Sequence, residues 1–258
     1  MEMELAAKMS RSQQRLPHVA SEATVCDSTS LASPRQPAYE SMKAVADRVS
    51  AALLLVATSP LLVAGWLLVR LTSMGPVLYS QTRVGIAGRT FRIYKLRSMY
   101  HNIEALTDGV KWSTGKADSR ITPVGRILRR LHIDELPQLW NVLIGDMSLV
   151  GPRPERPELV PALAEMIPGY RDRLFVLPGL TGLAQIQLPA DTDLDSVRRK
   201  LVLDKCYVEH AGLWLDARLA VATAFYLLGL SYRLLRKLFA LPNPLATAET
   251  LSEVQPAA

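Results

Sequence analysis

The stretch SAALLLVATSPLLVAGWLLV, Ser50 to Val69, limits what this chain can fold into more than any other. It carries no charge, and Arg48 and Arg70 stand on either side of it. The nineteen residues from Ala51 to Val69 would make a helix of about 28 Å, close to the ~30 Å hydrocarbon core of a bilayer. A surface helix of a globular domain is apolar along one stripe, whereas this run is apolar on every face. It reads as a membrane segment.

Its middle holds Ser59-Pro60. Proline has no amide to bond back to Val56, and its ring crowds that carbonyl, so the helix should kink or break there. Lys43 and Arg48 precede the run, and Arg70, Arg83, Arg89, Arg92, Lys95 and Arg97 follow it. A simple span places its positive excess mainly on one side. Here both flanks carry some, the later one more. A re-entrant hairpin dipping into one leaflet, with both ends cytoplasmic, fits these signs; a straight span is the competing topology.

Around this segment the chain divides into four parts. Residues 1–40 are poor in large apolar side chains and rich in Ser, Pro, Ala and Gln. They read as a flexible polar tail that cannot offset its ordering entropy by burial. Nothing there resembles a secretory signal, because the first long apolar run lies too deep in the chain. Residues 41–74 form the membrane anchor, 75–242 a compact domain and 243–258 a second flexible tail. Lys plus Arg exceed Asp plus Glu by 30 to 24, a net charge of +6. That excess suits an anionic partner such as nucleic acid, lipid headgroups or a phosphorylated metabolite. The two cysteines, Cys26 and Cys206, form no CxxC or Cys/His cluster. A disulfide framework or a structural zinc is therefore not expected.

The expected fold is α+β and mostly helical. FRIYKLRSM alternates apolar and basic residues as a short strand does. Thr122 to Arg130 reads as a helix with Arg126, Arg129 and Arg130 on one face. Pro137 at a first helical position, Leu139 and Leu143 spaced by four, and Gly145 beyond them delimit another. GPRPERP and LPGLTG are loops, and residues 196–215 and 216–239 look helical. The last of these is apolar from Leu219 to Leu230 and ends in YRLLRK. It suits either a core helix or one lying on a membrane surface.

Between the two helices bounded by Thr122 and Gly145 stands an unusual pair, Asp134 and Glu135. The positive end of the helix opened by Pro137, together with Arg129 and Arg130, should favour the ionised forms. Adjacent side chains do not share a face, so the two are not expected to share a proton. Capping of the helix would account for them. So would two separate tasks, one residue a nucleophile or base and the other a metal ligand. Lys95, Arg97, Arg120, Arg126, Arg129 and Arg153 lie in or beside turn-rich segments, where function tends to be placed. Arg153, held between Pro152 and Pro154, suits bidentate phosphate binding. His132 is either a proton carrier or structural. Ionised carboxylates among cations, next to a membrane anchor, suggest phosphate chemistry at a bilayer surface.

At this point the sequence resembles the bacterial sugar transferases, the monotopic polyprenyl-phosphate glycosyl-1-phosphate transferases. The resemblance rests on GPVLYSQTRVGIAGRTFRIYKLRSM, DSRITPVGRILRRLHIDELPQLWNVLIGDMSLVGPRPERPE, YRDRLFVLPGLTGLAQI and LDKCYVEHAGLWLDARL. These motifs stand in the family's order and span nearly everything after residue 45. The resemblance implies that Asp134 attacks the sugar-bearing phosphorus of a UDP-sugar, and that a polyprenyl phosphate then takes up the phosphosugar. It implies that Glu135 holds Mg²⁺. Lys95, Arg129 and Arg153 match the family's phosphate binders, with Arg97 beside them, and Asp204 in LDKCYV is a candidate for a supporting polar role. Ser59-Pro60 stands where the family bends its membrane helix.

Two positions depart from the family: His132 replaces the usual Ser or Thr, and Leu96 the usual Phe. They bear on packing or substrate preference rather than on the carboxylates. The larger members carry a multi-span N-terminal domain, and this chain looks like the minimal form with a short extension. The expected place is the cytoplasmic face of a bacterial inner membrane. The expected partners are a UDP-sugar, polyprenyl phosphate and membrane lipid, with a homodimer left open. A nucleic-acid-binding role lacks aromatic interleaving and a groove-reading motif. Two rival functions are a catalytically silent membrane-anchored scaffold and a metal-dependent phosphohydrolase that transfers to water.

Overall fold

The computed structural model describes residues 37–101, 118–189 and 191–243. The two expected tails therefore lie outside the described residues, apart from 37–40 at one end and 243 at the other. The first element, α1 (Pro37–Thr72), is a helix of 36 residues, about 54 Å long. Pro60 lies inside it and does not end it. Of the kink or break expected there, a break is absent, and the side chain next to the proline supplies a replacement bond. Ser59 Oγ donates to the Val56 carbonyl at 2.8 Å, the acceptor that Pro60 leaves without an amide. One turn earlier, Thr58 Oγ1 donates to the Leu54 carbonyl at 2.7 Å.

α1 is unlike a soluble core helix. Ala51 is fully buried with Ile93, Leu139, Val142 and Met147, and Val69 is buried with Val77, Leu96 and Leu128. Between and beyond these contacts, Leu53, Val56, Val63 and Leu71 are each more than half exposed. Gly65 lets the helix approach closely, since a Cβ there would stand 2.8 Å from Leu96 Cδ1. Polar clamps hold both ends to the same body. Tyr39 OH and Lys43 Nζ donate to Asp216 Oδ2 at 2.9 and 2.8 Å. At the other end Arg97 donates to the carbonyls of Met74 and Ser73 at 2.6 and 2.8 Å.

The body follows as β1 (Leu78–Val84) and β2 (Thr90–Leu96), an antiparallel pair with Leu78 opposite Leu96. Next come α2 (Pro123–Arg130), a 3-10 turn (Ile133–Glu135) and α3 (Gln138–Ile144), which ends at Gly145 with φ 95°. Thr122 caps α2, its Oγ1 accepting from the Gly125 amide at 2.8 Å. β3 (Ser148–Val150) pairs in parallel with β4 (Gly179–Thr181); α4 (Leu159–Met166) and a 3-10 segment (Tyr170–Phe175) lie between them. Helices α5 (Leu183–Gln187), α6 (Leu194–His210), α7 (Leu213–Leu227) and α8 (Tyr232–Leu238) complete the described chain.

The architecture is α+β and mostly helical. The two long helices expected over 196–215 and 216–239 are three, because Gly212 is extended and Gly229, at φ 92°, turns the chain between α7 and α8. Val150, Leu183, Leu203, Tyr207, Leu219 and Ala222 form the main core, joining β3, α5, α6 and α7. A second cluster of Val160, Leu163, Tyr170 and Leu201 packs α4 and the 3-10 segment onto α6.

Candidate active site

Three chain segments meet at the carboxylate pair. β2 delivers Lys95. The chain leaves α2 through His132, whose φ of 55° turns it sharply into the 3-10 turn carrying Asp134 and Glu135. The loop after β3 delivers Arg153. Asn141, on α3 just past the pair, ties two of these segments together. It is fully buried, its Nδ2 donates to the Arg92 carbonyl at 2.7 Å, and its Oδ1 accepts from the Tyr94 amide at 3.3 Å. The side chain thus bonds to β2 as a neighbouring strand would and fixes α3 against the strand that carries Lys95. Sequence reasoning passed over Asn141; its one signal was an amide side chain within an apolar helix next to the carboxylates.

Glu135 is the hub. Its Oε1 accepts from Lys95 Nζ at 2.7 Å and from Arg153 Nη2 at 2.6 Å, and its Oε2 accepts from Arg153 Nη1 at 3.4 Å. Burial opposes ionisation, but Arg153 and Lys95 outweigh it and hold the carboxyl well below the usual carboxylate range. Glu135 in turn raises Arg153 and keeps it charged. Lys95 is pushed down by burial and then by Arg153, against the pull of Glu135.

Asp134 differs. It is 6% exposed, and it accepts no hydrogen bond from any described residue. Burial, and then the neighbouring charge of Glu135, push its pKa up, while Lys95, Arg129 and His132 pull the other way without cancelling them. The expectation that its surroundings favour the ionised form is overturned, because exclusion from water outweighs the nearby cations. Two adjacent buried carboxylates therefore sit in opposite electrostatic states, one clamped by cations and one without such a clamp.

The other predicted residues divide. Arg129 Nε donates to Ser98 Oγ at 2.8 Å, and its charge reaches Asp134. Arg97 is buried and turned toward the end of α1, away from the cluster. Asp204 is buried in α6 and paired with Arg173 at 2.8 Å rather than with the carboxylates or Lys95. Arg120 pairs with Asp118 at 2.6 Å, and Arg126 is exposed on α2.

The cluster opens into a cavity of about 660 Å³. Glu135, Arg153 and His132 stand on its wall, and Leu139, Leu149, Leu180 and Ile186 make it apolar. Leu54 and Thr58 of α1 and Thr223 and Leu227 of α7 also line it. Among the described residues no group of three or more His, Cys, Asp or Glu side chains gathers as a ready metal cage. A Mg²⁺ ion needs less, since it takes one or two carboxylates and fills its shell with water and substrate phosphate. Glu135 Oε2, with a single contact at 3.4 Å, and the neighbouring Asp134 fit that requirement as hard oxygen donors.

Comparison with known proteins identifies the family. The bacterial sugar transferase family matches residues 38–229. A UDP-N-acetylgalactosamine-undecaprenyl-phosphate N-acetylgalactosaminephosphotransferase of Aeromonas hydrophila is 42% identical over 187 residues, 72% of this chain and 44% of that protein. A UDP-glucose:undecaprenyl-phosphate glucose-1-phosphate transferase of Caulobacter vibrioides is 44% identical over 188 residues, 72% of this chain and 69% of its own length. The exopolysaccharide production protein PSS of Rhizobium leguminosarum bv. phaseoli is 39% identical over 187 residues, 70% of this chain and 92% of that protein. The match thus spans less than half of the Aeromonas protein and most of the Rhizobium one. With the family matched from the first turns of α1 to the end of α7, this chain belongs to the bacterial sugar transferases.

Proposed function

We propose that this protein transfers a sugar-1-phosphate from a UDP-sugar to polyprenyl (undecaprenyl) phosphate and releases UMP, the first step of a lipid-linked exopolysaccharide or other glycan. An Asp134 carboxylate oxygen attacks the sugar-bearing phosphorus, and the bond from that phosphorus to the UMP oxygen breaks. An oxygen of the lipid phosphate then attacks the same phosphorus, and the bond to Asp134 breaks. Each step exchanges one P–O bond for another, and the carboxylate is regenerated. Lys95 and Arg153 bind the diphosphate oxygens and stabilise the charge moving onto UMP, with Arg129 adding to the same field. Glu135 orients Lys95 and Arg153 and, with Asp134 beside it, would hold Mg²⁺. When bound, the ion supplies Lewis-acid neutralisation of the diphosphate.

The observation that carries this reading is a desolvated aspartate next to a cation-clamped glutamate, the glutamate standing on the wall of an apolar cavity that Leu54 and Thr58 of α1 also line. That cavity suits the first isoprene units of the lipid. The α1 helix, with Ser59-Pro60 at its middle, then lies re-entrant in the cytoplasmic leaflet of the inner membrane. The names of the relatives favour undecaprenyl phosphate as acceptor, and they include both glucose and N-acetylgalactosamine donors.

The test is UMP release by detergent-solubilised protein supplied with Mg²⁺, a panel of UDP-sugars and undecaprenyl phosphate. Release that requires the lipid is expected, and Asp134→Asn should lower it by about a thousandfold or more. Equal release without lipid would mean hydrolysis instead, and a retained rate in Asp134→Asn would remove the aspartate from the mechanism.

A further inference from the structure

The loop that presents Arg153 is held in an unusual way. Pro152 and Pro154 flank the residue and have no N–H, so neither can pin the loop as a donor. Its carbonyls are pinned instead. Pro152 O accepts from the Gly179 amide at 2.8 Å, Glu155 O from the Val84 amide at 2.8 Å, and Pro154 O from Arg83 Nη1 at 3.2 Å. The carbonyl of Arg153 itself accepts from Arg173 Nη2 at 2.8 Å.

Arg173 is in turn fixed on three sides. Its Nη2 pairs with Asp204 Oδ2 at 2.8 Å, its Nη1 donates to Tyr170 OH at 2.8 Å, and its guanidinium lies 5.3 Å from the centre of the Tyr170 ring. Tyr170, Arg173 and Asp204 are 2%, 4% and 2% exposed. None of the three lines the apolar cavity. A buried ion pair is a poor source of stability compared with apolar packing, and its best-attested use is to specify one arrangement over others. The arrangement specified here is the height and direction of the Arg153 backbone, and through it the seat of the Arg153 guanidinium on Glu135 at 2.6 Å.

We infer that Arg173, locked by Asp204 and Tyr170, is a positioning residue that sets the register of Arg153 on Glu135 and thereby the rate of phosphosugar transfer. The rate claim rests on the function proposed above; the loop claim does not. A shift of about 1 Å in a group aligned with a reacting phosphate can cost on the order of a hundredfold in rate. Arg173→Lys keeps the positive charge but loses the planar fork that serves Asp204, Tyr170 and the Arg153 carbonyl together.

The experiment compares Arg173→Lys, Arg153→Lys and the double variant, with Tyr170→Phe as a milder change that removes one hydrogen bond and keeps the ring. Arg173→Lys should lower kcat about 30-fold while KM for the UDP-sugar stays within about threefold. The double variant should be no slower than Arg153→Lys alone, because both changes act through one guanidinium. Multiplicative effects, or full kcat in Arg173→Lys, would overturn the inference. Should Arg173→Lys fail to fold, Tyr170→Phe carries the same requirement, a lowered kcat that is non-additive with Arg153→Lys.

Amide hydrogen exchange gives a readout that needs no turnover. Arg173→Lys should speed exchange about tenfold or more at the Val84 and Gly179 amides, which donate to the loop carbonyls, and leave β2 and α3 unchanged. Unchanged exchange at those two amides would overturn the loop claim even in an active enzyme. A wild-type protein that releases no UMP, but shows the localised exchange, would defeat the proposed function and leave the loop claim standing.

Discussion

In the proposed reaction Asp134 would attack from a site kept from water, where burial outweighs the nearby cations. Its pKa is raised, first by burial and then by Glu135, and only the ionised form is a nucleophile. The rate should therefore rise with pH through a pKa above the ordinary carboxylate value of about 4. Measured as kcat/KM against pH, the acid limb is expected above that value. A limb at or below it would mean that burial of Asp134 does not govern the free enzyme. Lys95, Glu135 and Arg153 are legible in the sequence, because motif order and local charge mark them. The opposite states of Asp134 and Glu135 are not legible, since both are buried and only the fold decides which carboxylate meets Lys95 and Arg153. Asn141 and Arg173 escape for a related reason: their partners Arg92 and Arg153 are 49 and 20 residues away in the chain.

At the scale of elements, sequence reading works where one local rule decides and fails where two compete. Gly145 ends α3 as expected, and Thr122, read only as the start of a helix, caps α2, because a left-handed glycine and a hydroxyl each act within one turn. Pro60 predicts a kink or a break, and α1 continues unbroken with Ser59 donating to the Val56 carbonyl. The helices after residue 194 divide at two glycines that the apolar pattern passes over. Close approach of backbones is the other quantity hidden from a sequence. A Cβ on Gly125 would be driven into the Ser98 carbonyl, at the point where α2 meets the end of β2 and Ser98 receives Arg129. Gly125→Ala should thus destabilise the protein by about 3 kcal/mol, read by chemical denaturation in detergent, and lower activity through Arg129. An unchanged midpoint would show that α2 can move away freely.

For the whole molecule the decisive fact is that one body grips both ends of α1, through Asp216 near its start and Arg97 near its finish. A helix crossing the bilayer outright would have to give up one of these grips. Cysteines placed at Glu40 and at Met74, which is 92% exposed, in a Cys26→Ser background, should react equally with a membrane-impermeant reagent from the cytoplasmic side. Opposite accessibility would favour a straight span. The membrane signal itself is plain in the sequence, as is the mostly helical α+β class. The grips are not, because Lys43 and Asp216 lie 173 residues apart.

The burial of Ala51 and Val69 and the place of Leu54 and Thr58 on the cavity wall have a practical consequence. Trimming the chain before Gly75 would not liberate a water-soluble catalytic fragment. It would uncover two hydrophobic clusters, remove the Lys43 partner of Asp216 and the Ser73 and Met74 partners of Arg97, and leave the cavity beside Glu135 without one of its sides. The long apolar helix and the body here are one folding unit.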